Sequence, residues 1–267
     1  VKKYTPLTID ECTNSRIRDE MCSWLTSWEG KKKVDSIKNG LLLHGPSGVG
    51  KTLYARLLLK KFGYNEILYL STNDIRTYSR LTKKLDKLTK TFTFLSFTGI
   101  TIKKAIIFDE IEGVGNSDKG CMKKLIEILY PRLSKTKQKM SNITKYSVPI
   151  ICITNNINDS KSNKIKKYCT EVGFTLPGEE DIRQILQRVK DDTGNELMPV
   201  EAALEMSQKY NFDFNMLGRF LEGVYDYKLR ENRSTITAEE IRDFKHTEAS
   251  GDVLHSRFLN SDMYKLS

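Results

Sequence analysis

Nowhere does the chain hold an apolar run near the roughly 18 residues that a membrane-spanning helix needs. The stretch from Val1 to Glu11 has neither an apolar signal core nor a cleavage pattern. Internal repeats and low-complexity tracts are missing too. The sequence therefore predicts no membrane protein, no secreted precursor and no collagenous or disordered chain. Val1 is not a methionine, so a processed product or a fragment is expected. Cysteines are few, odd in number and without a CxxC pair: Cys12, Cys22, Cys121, Cys152 and Cys169. With His44, His246 and His255 they make no zinc spacing. Buried, reduced thiols in an intracellular protein are the expectation, because free cysteine packs as a small hydrophobe.

The chain does have length and positive charge. Its 267 residues amount to about two domains at roughly 150 residues each, enough to bury a core. Lysine and arginine number 44 against 34 acids, a net charge of +10. The excess clusters at Lys31, Lys32 and Lys33, then at Lys83, Lys84, Lys87 and Lys90. A third group holds Lys119, Lys123, Lys124, Lys135, Lys137 and Lys139. Two readings stay open: a surface for polyanions whose strength falls with salt, or ordinary solvated faces.

Short apolar runs alternate with longer helix-like stretches, the pattern of a mostly parallel sheet. Strands are expected at Leu41–His44, Ile67–Leu70, Ala105–Phe108, Val148–Thr154 and Val172–Phe174. Helices are expected at Thr52–Phe62, Ile75–Thr89 and Met122–Leu129. After Phe174 the character changes: Pro177 and Gly178 precede helical patterns near Glu179–Lys190, Val200–Tyr210 and Asn215–Leu229. Thr237 suits the cap of a last helix, with Glu239 and Glu240 in its first turn. The domains expected are 1–174, an α/β domain; 175–230, a small helical domain; and 231–267, a helical tail or the start of a further domain.

Gly45-Pro46-Ser47-Gly48-Val49-Gly50-Lys51-Thr52 fits the phosphate-loop pattern G-x-x-x-x-G-K-S/T, between an apolar run and an amphipathic stretch. Glycines let backbone N–H groups turn around phosphates, and the following helix start faces them. Lys51 then supplies charge to the β- and γ-phosphates, and Thr52 a hydroxyl to magnesium. The apolar run Ala105–Phe108 ends in Asp109 and Glu110. Asp109 is expected to hold magnesium through water, and Glu110 to polarise the attacking water. Asn155 ends the strand Pro149–Thr154. It is either a turn former or an amide that orients the attack.

Together these motifs resemble the AAA+ ATPases, and within them the clamp-loader family, most closely the large subunit of replication factor C. Lys3-Tyr4-Thr5-Pro6 is similar to that family's K-Y-x-P element, which puts Tyr4 near the adenine. Gly63-Tyr64 and Ser71-Thr72-Asn73-Asp74-Ile75-Arg76 resemble its segment around the second strand. Asp109-Glu110-Ile111-Glu112-Gly113, followed by Asn116-Ser117-Asp118-Lys119-Gly120, resembles the large subunit's D-E-V-D-G run. Pro149–Asn155 resembles its P-I-I-C-I-C-N strand. Small subunits carry an arginine before a cysteine that completes the neighbour's ATP site. Here the place reads Lys167-Tyr168-Cys169, as in the large subunit, and Lys166 and Lys167 lack the planar fork of arginine.

The resemblance implies a P-loop AAA+ parallel-sheet domain followed by a small helical lid domain, binding ATP and Mg2+. It implies small clamp-loader subunits in a hetero-oligomer, a sliding clamp and primer–template DNA held through phosphates as partners, with no membrane. A eukaryotic source would place it in the nucleus. The family's γ-phosphate-sensing arginine is replaced by Asn215, and Arg219 lies one helical turn later. The segment 130–147 is longer than the family's usual connection and lysine-rich. DNA contacts are expected from Lys119, Lys123 and Lys124. A clamp contact is expected from Leu81, Leu85 and Leu88 with Phe92–Phe97, against the alternative of a half-buried strand. The other functional readings are a loader for checkpoint or cohesion work, and a weakly hydrolysing nucleotide-binding scaffold.

Overall fold

The computed structural model describes residues 5–30, 39–75, 77–86, 102–114, 119–130, 148–194 and 196–230. The described residues divide into two compact units, one spanning Pro6–Thr175 and the other holding Thr5 with residues 176–230.

The first unit is built on a five-stranded sheet: β1 (Gly40–His44), β2 (Tyr64–Leu70), β3 (Lys103–Phe108), β4 (Ile150–Thr154) and β5 (Cys169–Gly173). Its order is β2-β3-β4-β1-β5, and every pairing is parallel. Leu41, Leu42, Leu43, Ile106 and Ile107 are fully buried. Such continuous apolar runs are what a parallel sheet covered on both faces requires. The helices of this unit are α1 (Ser15–Glu29), α2 (Lys51–Lys61), α3 (Thr72–Ile75), α4 (helical over 78–86), α5 (Lys119–Leu129) and α6 (Ser160–Lys166).

All five expected strands are present. β2 and β5 each begin three residues earlier than expected, because both are edge strands whose polar residues, Asn65 and Glu66 in one and Thr170 and Glu171 in the other, hide the start. α1 and α6 were not anticipated. Yet α1 carries its signals openly: Asn14 accepts from the Ile17 N–H at 3.1 Å, and Ile17, Met21, Trp24 and Leu25 form a buried helical stripe. α4 buries Leu81 and Leu85 in the sheet's core cluster.

The second unit holds α7 (Glu179–Thr193), α8 (Val200–Tyr210) and α9 (Phe214–Arg230). Gly194 closes α7 and Asn211 closes α8, both in the left-handed conformation. Asp213 starts α9 by accepting from the Met216 N–H at 2.7 Å. Its core packs Ile182, Leu186, Val189, Ala203, Met206, Leu217 and Val224 around Phe212 and Phe220, whose rings lie 5.5 Å apart. Thr237 and the expected last helix lie outside the described residues.

Candidate nucleotide site

Parallel strands place their carboxyl ends on one edge of the sheet, and the loops leaving that edge are where ligands of open α/β sheets bind. Here β1, β3 and β4 stand side by side, and their ends carry the phosphate loop, the acidic pair and Asn155.

Gly45 follows β1 with φ +142, and a Cβ there would lie 2.3 Å from the Phe174 carbonyl oxygen. The Phe174 N–H donates to the His44 carbonyl at 2.7 Å, tying the loop's base to the end of β5. Only glycine fits so close a backbone approach. Pro46 and Ser47 are exposed at the loop's outer turn, whereas Val49 is buried and anchors it. Gly48 and Gly50 both have positive φ, and Gly50 opens α2.

Lys51 begins α2 and is buried. Its Nζ donates to the carbonyls of Gly45 and Pro46, at 2.8 and 2.5 Å, and to Asn155 Oδ1 at 2.9 Å. Burial pushes its pKa down, opposed by the carboxylates of Asp109 and Glu112. Thr52, next on the helix, donates its hydroxyl to Asp109 Oδ2 at 2.8 Å. The Tyr69 hydroxyl donates to the same oxygen at 2.5 Å. Burial, then this bond to Asp109, pushes the Tyr69 pKa up to about 12. Arg56 lies over the Tyr69 ring, 4.8 Å from its centroid.

Glu110 has φ 53 and ψ 56, a left-handed conformation that a non-glycine side chain rarely adopts. Its N–H donates to Asp109 Oδ1 at 3.0 Å, and its carboxylate accepts a short hydrogen bond from the Thr72 hydroxyl. The turn Ile111–Gly113 follows. A Cβ on Gly113 would sit 2.1 Å from Thr72 Cγ2, so glycine lets this turn press against α3. Glu112, inside the turn, accepts at Oε1 from the Asn155 N–H at 3.1 Å and from Asn155 Nδ2 at 3.0 Å.

The phosphate loop, Lys51, Thr52, Asp109, Glu110 and Asn155 are thus linked at one sheet edge. A hydroxyl and a carboxylate sharing a hydrogen bond form a hard-oxygen set that suits Mg2+, and a lysine curled onto loop carbonyls suits a phosphate. The residues present fit a metal–nucleotide complex. Sequence reasoning missed Tyr69, Thr72 and Glu112. Glu112 stood two positions beyond Glu110 in the quoted motif, but nothing in the sequence paired it with Asn155.

Other expected residues fall elsewhere. Tyr4 lies outside the described residues. Arg219 and Asn215 are both exposed on α9 in the helical unit. The DNA assignment of Lys124 is corrected: its side chain is buried, 3.8 Å from Glu127, because it shares α5's inner face with Cys121, Leu125 and Ile128. Lys123 is exposed, and the Lys119 side chain lies outside the described set. Leu81 and Leu85 belong to the core and are withdrawn as a clamp contact. Leu88 and Phe92–Phe97 lie outside the described residues. Near the missing arginine, Lys166 pairs with Glu171 at 3.1 Å, and Lys167 lies 5.0 Å from the Tyr168 ring centre. The five cysteines are free thiols; Cys22 is half-buried and the others are buried.

Residues 41–177 match the AAA family, the ATPase family associated with various cellular activities, and the chain belongs to it. Membership makes it a nucleotide-binding ATPase. Among curated relatives, it is 28% identical over 198 residues to the "Replication factor C large subunit" of Thermofilum pendens, covering 73% of this chain and 42% of that protein. It is 27% identical over 232 residues to the human "Replication factor C subunit 1", covering 74% and 18% respectively. The chain therefore spans less than half the length of these relatives. Its fold is similar to the solved RuvB Holliday junction branch migration motor of Thermotoga maritima. The TM-score is 0.60 and the identity 13%, with 91% of this chain and 72% of that one covered.

Proposed function

We propose that this chain is the ATPase portion of a clamp-loader large subunit, which opens a ring-shaped sliding clamp and releases it on primer–template DNA. What carries the reading is the pairing of Lys51 with Asn155 and of Thr52 with Asp109, beside Glu110, at one sheet edge, in a chain whose relatives are named "Replication factor C large subunit" and "Replication factor C subunit 1".

Lys51 leaves the loop carbonyls to meet the β- and γ-phosphates of ATP. Thr52, and through water Asp109, whose carboxylate Tyr69 fixes, would hold Mg2+. When bound, the metal neutralises charge that develops on the phosphates. Glu110 polarises the attacking water, and Thr72 sets the direction of its carboxylate until then. Asn155 positions that water from the neighbouring strand end. By the family resemblance, Arg219, or Asn215 one turn before it, stands for the γ-phosphate-sensing arginine, and Tyr4 for the residue beside the adenine. Phosphoryl transfer asks little covalent chemistry of a protein; positioning and charge stabilisation supply most of the acceleration.

The partners in this reading are small loader subunits, the clamp, and DNA held through phosphates by lysines such as the exposed Lys123, with Lys119 near it in sequence; a eukaryotic source would make it nuclear. The domain division is 1–174 for the nucleotide-binding domain, 175–230 for the helical lid and 231–267 for a tail or collar start. The test is co-expression with small loader subunits and a clamp. Co-purification, with ATP turnover stimulated by clamp and primed DNA, is the expected result. A chain that joins neither, or whose turnover ignores both, contradicts the reading.

A further inference from the structure

Glu112 belongs to none of the roles above, yet it makes two hydrogen bonds with Asn155. One carboxylate oxygen takes both the backbone N–H and the side-chain Nδ2 of Asn155, at 3.1 and 3.0 Å. Its other oxygen, Oε2, is buried with no hydrogen-bond partner among the described residues. Asn155 Oδ1 meanwhile accepts from Lys51 Nζ at 2.9 Å. Glu112 is itself fixed from several sides. Ile111 beside it is fully buried, Gly113 abuts Thr72, and the Glu112 carbonyl accepts a short bond from Lys161 Nζ on α6.

An asparagine amide has a donor end and an acceptor end of nearly the same shape, so packing alone does not decide which faces a site. An ionised carboxylate accepts only, and it therefore takes the NH2 end. We infer that Glu112 is a positioning residue that fixes the Asn155 amide with its oxygen toward Lys51 and the phosphate loop. The bond is charge-assisted, which makes it stronger than one between neutral groups. The inference rests on the ATPase reading for its consequence in turnover, but not for the orientation itself.

Glu112→Gln keeps the side chain's size and supplies both a donor and an acceptor, so it no longer dictates the amide's sense. The full-length protein and its Glu112→Gln, Asn155→Ala and doubly substituted variants separate positioning from tethering. In the nucleotide-free protein, the 15N-resolved Asn155 side-chain amide should show one proton shifted well downfield, and Glu112→Gln should remove that shift. ATP binding, read with a fluorescent ATP analogue, should stay within about threefold, while turnover of the assembled complex falls roughly tenfold, the scale of one charged hydrogen bond. In the Asn155→Ala background Glu112→Gln should add nothing, because residues acting as a unit are not additive.

Losses that multiply in the double variant would overturn the inference. So would an unchanged amide resonance, or a lower melting temperature with turnover per folded molecule intact. If the unsubstituted protein binds no ATP, the proposed function fails, and the amide resonance still decides the role of Glu112.

Discussion

The strand-end edge of the α/β unit and the helical unit are held by different physics. At the edge, polar and charged groups carry the organisation in two bonded sets: Lys51, Asn155 and Glu112 form one, and Thr52, Asp109 and Tyr69 the other. Glycines and a left-handed glutamate shape the backbone there. The helical unit has no comparable polar set in its described core. Apolar stripes on α7, α8 and α9 meet around Phe212 and Phe220, and caps close the helix ends. Substitution at the edge should therefore cost chemistry first and stability second. In the helical core the order should reverse.

The largest effect is expected in the helical unit. Phe220→Ala removes a buried ring packed on Phe212, at a cost of about 3–5 kcal/mol. Calorimetry should show the helical unit melting early while the α/β transition stays in place. A single transition shifted as a whole would break the comparison, because it would make the two units one cooperative body.

Lys51→Ala comes next, on the opposite side of the comparison. It deletes a charged donor worth about 1.5–3 kcal/mol, so ATP affinity should fall by roughly 10- to 150-fold. Titration with a fluorescent ATP analogue measures this, and circular dichroism should report a folded chain. Loss of fold would show that the lysine's bonds to Gly45, Pro46 and Asn155 are chiefly structural.

His44 sharpens the contrast through pH. Burial pushes its pKa below the ordinary 6.5; Glu171 opposes the shift, while Lys166 and Lys51 add to it. Between the folded and unfolded values the unfolded chain binds more protons, so stability rises with pH there and is lost as pH falls below about 6.5. Urea unfolding at pH 5.5 and 7.5 should show this loss, and His44→Gln should reduce it. An equal loss in the variant would assign the acid sensitivity to other groups.

The smallest effect belongs to the exposed Lys123. If it meets a DNA phosphate, Lys123→Ala should flatten the salt dependence of binding by about 0.9 in log–log slope, alike for all sequences. An unchanged slope places the DNA away from α5.

How much could be read in advance follows the same division. The phosphate loop and the acidic pair were legible because their chemistry demands those residues at fixed spacing. The sheet was legible because burial on both faces gives continuous apolar runs. Tyr69, Thr72 and Glu112 were not, since each acts on a residue from another strand end and no local pattern records that meeting. Lys124 shows the opposite error. Its charge suggested solvent, while its place three residues after Cys121 and four before Ile128 put it on the buried face of α5.

Glu110→Gln tests the central claim most directly, with ATP binding and turnover measured in parallel on the assembled complex with clamp and primed DNA. The substitution keeps size and hydrogen-bonding reach and removes only the group that polarises water. The account predicts ATP affinity near that of the unsubstituted protein and turnover lower by on the order of 10²–10⁴, the usual worth of a general base. Turnover at the unsubstituted rate with ATP bound would contradict it.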